Sequence, residues 1–319
     1  MRTNSIDSAA AALQAGYLCA IPTETVYGLA ADATNPTAIA RVFEAKGRPS
    51  DHPLIVHIAD GAYLGEWIRD IPEWALSLTK KFWPGPLTIV GRRTDAALNV
   101  VTGGQDTVAV RVPQHPVALE LLRNLYSAGV PGLVAPSANR FGHVSPTSAE
   151  HVLADLGDYL SAHDDLVLDG GLCSVGVEST IVLALDHTPV ILRPGAVSSA
   201  DIESFTGTPI GHMRAETPRV SGALDSHYAP RAKVLLVSES ELHNFVTHSG
   251  VGLIARDDVV TPPQCVRLLA ANTNEDYARE LYASMRHADE LGLETILVVA
   301  PSGDDVAIAI NDRLKRAAF

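Results

Sequence analysis

Between residues 54 and 194 the chain carries six short β-branched runs punctuated by Pro or Gly: LIVHI (54–58), PLTIV (86–90), TVAVRV (107–112), GLVAP (132–136), STIVLAL (179–185) and PVILRP (189–194). β-Branched side chains are stiff at χ1 and suit a pleated, half-buried surface, while Pro and Gly stop each run after a few residues. This part of the chain is thereby committed to a many-stranded sheet. Helical spacing lies between several of the runs. Thr37 to Lys46 sets Ile39, Val42 and Phe43 on one face and stops at Gly47, and segments 72–82, 116–128 and 147–156 read as helices too. Many connections are long and carry Pro or Gly. The expected fold is α/β, a mixed twisted sheet with helices and a concave, loop-lined face.

A chain of 319 residues exceeds one average core. Residues 207–230 show no sustained period and hold three prolines and three glycines, which predicts a linker or a lid between a domain at 1–206 and a smaller one at 231–319. Beyond it the period returns: KVLLVS, a helix near 239–247, GLIAR, CVRLLA, a helix near 274–290 with Tyr277, Leu281 and Met285 in line, TILVVA, and a final helix from about Asp304. That order predicts a small Rossmann-like α/β domain. No apolar run approaches the roughly 18 residues needed to span a bilayer, and the N-terminal stretch lacks the apolar core of a signal peptide, so a cytoplasmic protein is expected. Cys19, Cys173 and Cys265 are far apart and never in CxxC spacing, which argues against a disulfide framework or a zinc-thiolate site.

Charge narrows the partners. The formal net charge is −13, with 13 basic and 20 acidic residues up to position 200 and 11 and 17 beyond it. Neither part has the basic excess of a general phosphate-backbone binder, so nucleic-acid contact is expected to be weak or absent. The few cations of the first part must then serve individually, as ligands for a small anion. Several standard sites fail. GVGLIA (250–255) leads into a strand and does not open a helix after one; there is no Gly-Lys pair for a P-loop; HExxH and GxSxG are absent; and the 12 histidines show no metal-ligand spacing. No metal ligands are assigned.

Four clusters carry chemistry. In IPTETVYGLA (21–30) a strand ends at Pro22, and hydroxyl residues and Glu24 follow; a turn with side-chain-to-backbone bonds is the plain reading. In KGRPSDHPLIVHI (46–58), Lys46 and Arg48 follow a helix end, where one cation complements the dipole but two beside Gly47 and Pro49 suggest an anion site. In TVAVRVP, Arg111 lies inside an apolar strand and needs either a buried carboxylate or a bound anion. The loop of APSANRFGHVSPT (135–147) offers hydroxyls and N–H groups at a strand end, and Ser145-Pro146 also reads as N-cap and N1 of the next helix. In GVEST (176–180) and ILRPG (191–195), adjacent strands end in Ser179, Thr180 and Arg193. Together these make a site of hydroxyls and four cations with no nucleophile–base pair.

In this order PTETVYGLAADA, KGRPSDHPLIVHI, WPGPLT, VAVRVP, APSAN, SPT, GVESTIV and ILRPGAV resemble the YrdC-like threonylcarbamoyl-AMP synthase family. HYAP (227–230) and the α/β tail look like its long form, which appends a second domain. The resemblance implies the reaction of L-threonine, bicarbonate and ATP to threonylcarbamoyl-AMP, diphosphate and water, with Mg²⁺ accompanying ATP and the product passed to a separate complex that modifies tRNA. It implies that Thr25, His57, Arg111, Ala135 and Ser179 bind threonine. It further implies that Lys46, Arg48, His52, Thr107, Ser137, Ser145, Arg193 and Tyr228 serve ATP, with Lys46 and Arg48 catalytic. Two residues depart from the family pattern: His52 replaces the usual Asn, and Phe141 interrupts the small residues after SAN. The alternative readings are a double-stranded RNA or tRNA-binding module, which the net charge disfavours, and the carbamoyl-transfer domain of hydrogenase maturation proteins, which would bring CxxC motifs. The 207–230 segment is expected to cover the site through Tyr228, with packing on the second domain as the simpler alternative. A chain ending after Ala232 is then expected to keep much of the activity.

Overall fold

A computed structural model describes residues 1–214, 216–222, 228–245 and 250–319. His227 of the HYAP motif lies outside them.

The six β-branched runs become strands of one mixed sheet of eleven. Along its path the strands run Arg2–Thr3, Leu166–Leu168, Cys19–Ile21, Gly28–Asp32, Leu133–Val134, Ile55–His57, Thr107–Arg111, Leu87–Arg93, Thr180–Leu183 and Val190–Arg193, with Ile68–Arg69 antiparallel beside Leu87–Arg93. Ile55–His57 and Thr107–Arg111 are parallel with His57 opposite Arg111, and Leu133–Val134 runs antiparallel on the other side of Ile55–His57. Because these strands are short, the loops at both of their ends lie close together. Trp67, Tyr27, Leu29, Ile39, Val42 and Phe43 belong to the core that covers the sheet. Gly28–Asp32 (GLAAD) carries no β-branched residue and was not legible as a strand. It forms because Gly28 lets another strand end close in: a Cβ there would stand 2.9 Å from the Ala135 Cβ.

Helix Pro36–Lys46 begins where expected, with the Asn35 carboxamide oxygen accepting from the Thr37 and Ala38 amides and Pro36 in the first turn. Gly47 ends it at φ 61°, and the Arg48 amide then bonds back to the Phe43 carbonyl. That turn is what aims Arg48 inward. The segment 145–148 departs from expectation. The helix after it is Ala149–Leu156, and its N-cap is Ser148, whose hydroxyl accepts from the His151 amide at 3.2 Å. Ser145 is three residues too early to cap anything, and its hydroxyl is directed elsewhere.

The second sheet has four parallel strands in the order Lys233–Leu236, Thr295–Val298, Val251–Arg256, Val266–Ala271, the first strand of the series lying at an edge. GVGLIA forms the third of these, which removes the dinucleotide reading by context. Helix Asn274–Glu290 buries Tyr277, Leu281 and Met285 completely, and helix Ala307–Ala317 closes the chain. The stretch near 239–247 is a 3₁₀ turn at Glu239–Glu241 followed by the short helix Leu242–Phe245, with 246–249 outside the described residues. Among the described residues no helix is long and apolar enough to cross a membrane. Ser148→Ala removes the cap of Ala149–Leu156 and should cost about 1 kcal/mol of stability, read as a lowered urea midpoint at constant slope.

Candidate active site

Strand ends and their loops enclose a cavity lined by Thr23, Thr25, Gly28, Arg48, His57, Arg111, Ala135, Ser137, Glu178, Ser179, Arg193, Ser221 and Tyr228, among others. One end is built from hydroxyls. Pro22 breaks the strand Cys19–Ile21, and Thr23 folds the chain back by donating to the Val26 carbonyl at 2.6 Å and accepting from the Thr25 and Val26 amides. A hydroxyl has one proton, so at the 2.8 Å Thr23–Thr25 contact Thr25 is the donor. Thr25 Oγ1 accepts in turn from Arg111 Nη1 at 2.8 Å.

Arg111 has the carboxylate partner that its apolar strand demanded. Nη2 meets Glu24 Oε1 at 2.5 Å, Nε donates to the Gly85 carbonyl, and both members of the pair are at most 4% exposed. The second Glu24 oxygen accepts from the Gln114 amide at 2.9 Å. Two of the five guanidinium N–H groups remain beyond these three bonds, toward the cavity that Arg111 lines. Beside it, His57 Nδ1 lies 3.3 Å from the Ile55 carbonyl, which can only accept, so Nδ1 carries the proton and Nε2 is an acceptor. Burial, reinforced by the Arg111 charge, lowers the His57 pKa to about 3. The ring is neutral at physiological pH.

The other end is cationic, and its cations have no carboxylate within ion-pair reach among the described residues. Lys46, 2% exposed, donates at 2.6 Å to the carbonyls of Ser137 and Asn139. Burial and the nearby Arg48 push its pKa well below the usual lysine value. Arg48 donates from Nη2 to the Pro53 carbonyl and to Ser221 Oγ, and its buried Nε has no partner among the described residues. Burial lowers Arg48 to about 10. Arg193 donates to the carbonyls of Ser179 and Ser221 and to Ser179 Oγ. Three charges desolvated against neutral oxygens mark a site completed by an anion.

Nine of the residues expected at the site line this cavity: Thr25, Arg48, His57, Arg111, Ala135, Ser137, Ser179, Arg193 and Tyr228. Lys46 stands behind Ser137 and shapes its loop. Ser145 is fully buried and donates to Glu178 Oε1 at 2.6 Å, so it reaches the cavity through a residue that lines it. Thr107 lies instead in an adjoining groove with Gln105, Arg219 and Ser221. His52 is set to one side, edge-on to Phe141 with ring centroids 5.3 Å apart, while the Arg48 guanidinium lies 5.6 Å from the Phe141 ring. The two departures from the family pattern thus touch each other and back the same arginine. Glu24, Glu178 and Ser221 carry structural work that the sequence reading did not assign, although Glu24 and Glu178 sit inside its motifs.

A family model described as "Telomere recombination" (Sua5/YciO/YrdC) matches residues 11–195, and one described as "Threonylcarbamoyl-AMP synthase, C-terminal domain" matches residues 197–319. A threonylcarbamoyl-AMP synthase from Pyrococcus abyssi is 37% identical, over 97% of this chain and 92% of the relative. The chain belongs to the threonylcarbamoyl-AMP synthase family. A Bacillus subtilis member is 38% identical over 98% of the chain and 92% of its own length. The crystal structure of P. abyssi Sua5 complexed with L-threonine superposes with a TM-score of 0.89 at 37% identity, over 100% of this chain and 96% of that one. The mixed sheet and the appended α/β domain are therefore those of a synthase of the long form.

His57 supplies a pH test. Its unfolded counterpart takes up a proton near 6.5 and the folded ring only near 3, so this contribution is full above about 6.5 and is lost as pH falls. The slope is about 1.4 kcal/mol per unit, or about 2 kcal/mol between pH 6.5 and 5. Partly buried His151, lowered to about 4, acts in the same direction. Unfolding free energy should therefore drop less steeply over that range in His57→Gln than in the unsubstituted protein.

Proposed function

We propose that the chain makes L-threonylcarbamoyladenylate from L-threonine, bicarbonate and ATP, releasing diphosphate and water, and that a separate transferase complex uses the product on tRNA. The observation that carries this reading is the juxtaposition in one cavity of a hydroxyl-rich end and an end of desolvated cations, with no serine or cysteine bonded to a histidine among the described residues of its lining. In this reading the amine of threonine takes up carbon dioxide or bicarbonate as a carbamate, and the carbamate oxygen attacks the α-phosphorus with diphosphate leaving. Neither step calls for a protein nucleophile. The second calls for two anions held together and for fixed positive charge where negative charge develops on the leaving diphosphate. Arg111, with its two remaining N–H groups, would take the threonine carboxylate, and neutral His57 would present Nε2 as an acceptor toward the threonine end. Arg48 and Arg193 would bind phosphate oxygens. Mg²⁺ would come with the triphosphate: Glu24 is committed to Arg111 and Glu178 to Ser145 and the second domain, so phosphate oxygens would be its main ligands.

Ser221 supports a closing role for the 207–230 segment. Its Oγ meets Arg48 at 3.1 Å and its carbonyl meets Arg193 at 3.0 Å, so one residue stands where two phosphate oxygens would. Arg219 is held on both sides by Gln105, and Val220 packs with Val90, Ala109, Ile181 and Leu192. ATP would displace this stretch from the cations, and its return would shield a water-sensitive adenylate.

Diphosphate release should require threonine and bicarbonate together; equal release without threonine would sink the assignment. Arg48→Ala should lower kcat by about 10²–10³. Arg111→Lys keeps a cation for Glu24 while removing the fork, and should weaken threonine binding by calorimetry with a smaller effect on ATP. Gln105→Ala should speed tryptic cleavage after Arg219, and an unchanged rate would mean that the segment is not held down there.

A further inference from the structure

The second domain touches the nucleotide end of the cavity through buried charge. Glu178, inside GVEST, accepts on Oε1 from Ser145 and on Oε2 from Tyr282 OH and Arg313 Nε, both at 2.9 Å. Tyr282 and Arg313 come from helices Asn274–Glu290 and Ala307–Ala317, and both are completely buried. Burial disfavours the Glu178 charge, but Arg313, Arg193 and the Ser145 hydroxyl outweigh it and pull the carboxyl down to about 2. Arg313 also lies 5.4 Å from the Tyr228 ring, which stacks on Tyr282 with centroids 5.7 Å apart. A second tie runs parallel to the first. Arg286 donates to the carbonyls of Val144 and Ser145 and grips Asp155 with both terminal nitrogens. The approach itself is built in at Gly176, at φ 83°, where a Cβ would stand 2.4 Å from the Arg279 Cα.

We propose that the second domain is a structural part of the nucleotide site, with Tyr282, Arg313 and Arg286 as positioning residues that fix Glu178 and the Val144–Ser145 loop and so aim Ser145 and the Tyr228 ring at the nucleotide. The Ser145 proton is spent on Glu178, so its oxygen presents only lone pairs to whatever binds beside it. If Tyr282 or Arg313 is lost, the carboxylate is free to turn and Ser145 turns with it. The threonine end has no such tie among the described residues: Arg111, Glu24, Thr25 and His57 bond to one another, to the Thr23 hydroxyl and to backbone groups of the first domain. It follows that a chain ending after Ala232 loses the partners of Glu178 and should bind ATP poorly, against the expectation drawn from sequence.

The proposal rests on the assignment of Ser145 and Tyr228 to ATP, and its test is steady-state kinetics of the full chain with ATP and threonine varied separately. Tyr282→Phe removes one hydrogen bond to a buried carboxylate and should raise KM for ATP about tenfold, with KM for threonine within about twofold. Glu178→Gln should raise it similarly, and the double variant should show little beyond Glu178→Gln alone, because both act through one group. Arg313→Lys should retain more ATP affinity than Arg313→Met. Additive effects in Tyr282→Phe/Glu178→Gln would overturn the proposal, as would a lowered Tm with both KM values unmoved or raised alike. Ser145→Ala separates the two failures: if it leaves KM for ATP unchanged, the nucleotide assignment itself falls.

Discussion

Lys46, Arg48 and Arg193 are buried against neutral oxygens, and the rest of the structure is arranged around that cost. A desolvated cation without a counter-ion is tolerated only where surrounding dipoles are fixed in place. The fold supplies such dipoles as carbonyls at chain reversals: Ser137 and Asn139 after Leu133–Val134, Pro53 before Ile55–His57, and Ser179 before Thr180–Leu183. Each reversal sits at a strand end, and short strands keep those ends close enough to share one cavity. This is why a large mixed sheet of short strands serves the chemistry.

The two ends of the cavity meet their electrostatic demands differently. At the hydroxyl-rich end, Arg111 is neutralised inside the protein by Glu24, and what remains for a ligand is hydrogen-bonding geometry. At the cationic end the positive charge has no ion-pair partner among the described residues, and Ser221 satisfies only its hydrogen bonds. A zwitterionic amino acid suits the first arrangement and a polyanion the second. The difference also accounts for the wiring of Glu178. A carboxylate beside these cations would repel an anionic ligand unless its own charge were matched, and Arg313 matches it from the second domain.

Much of this was legible locally. The β-branched runs, the Asn35-Pro36 start and Gly47 stop of one helix, and the Tyr277, Leu281, Met285 stripe all express backbone propensity over a few residues, and each formed where expected. GLAAD did not announce itself, because its strand depends on a close approach to Ala135, which is more than a hundred residues away. Ser145-Pro146 announced the wrong thing: the letters fit a helix start, but Ser148 took the cap once Glu178 engaged the Ser145 hydroxyl.

The sequence by itself determined the inventory, namely the sheet-forming runs, the inward cations, and the hydroxyls and motifs that place the chain in its family. Those follow from covalent geometry and short-range periodicity. Only the tertiary structure decided who pairs with whom. That Arg111 takes Glu24 from 87 positions away, and Glu178 takes Arg313 from 135 positions away, follows from distances of a few ångströms that no local propensity encodes. In a low-dielectric interior those distances govern which charges are cancelled and which are left for substrate.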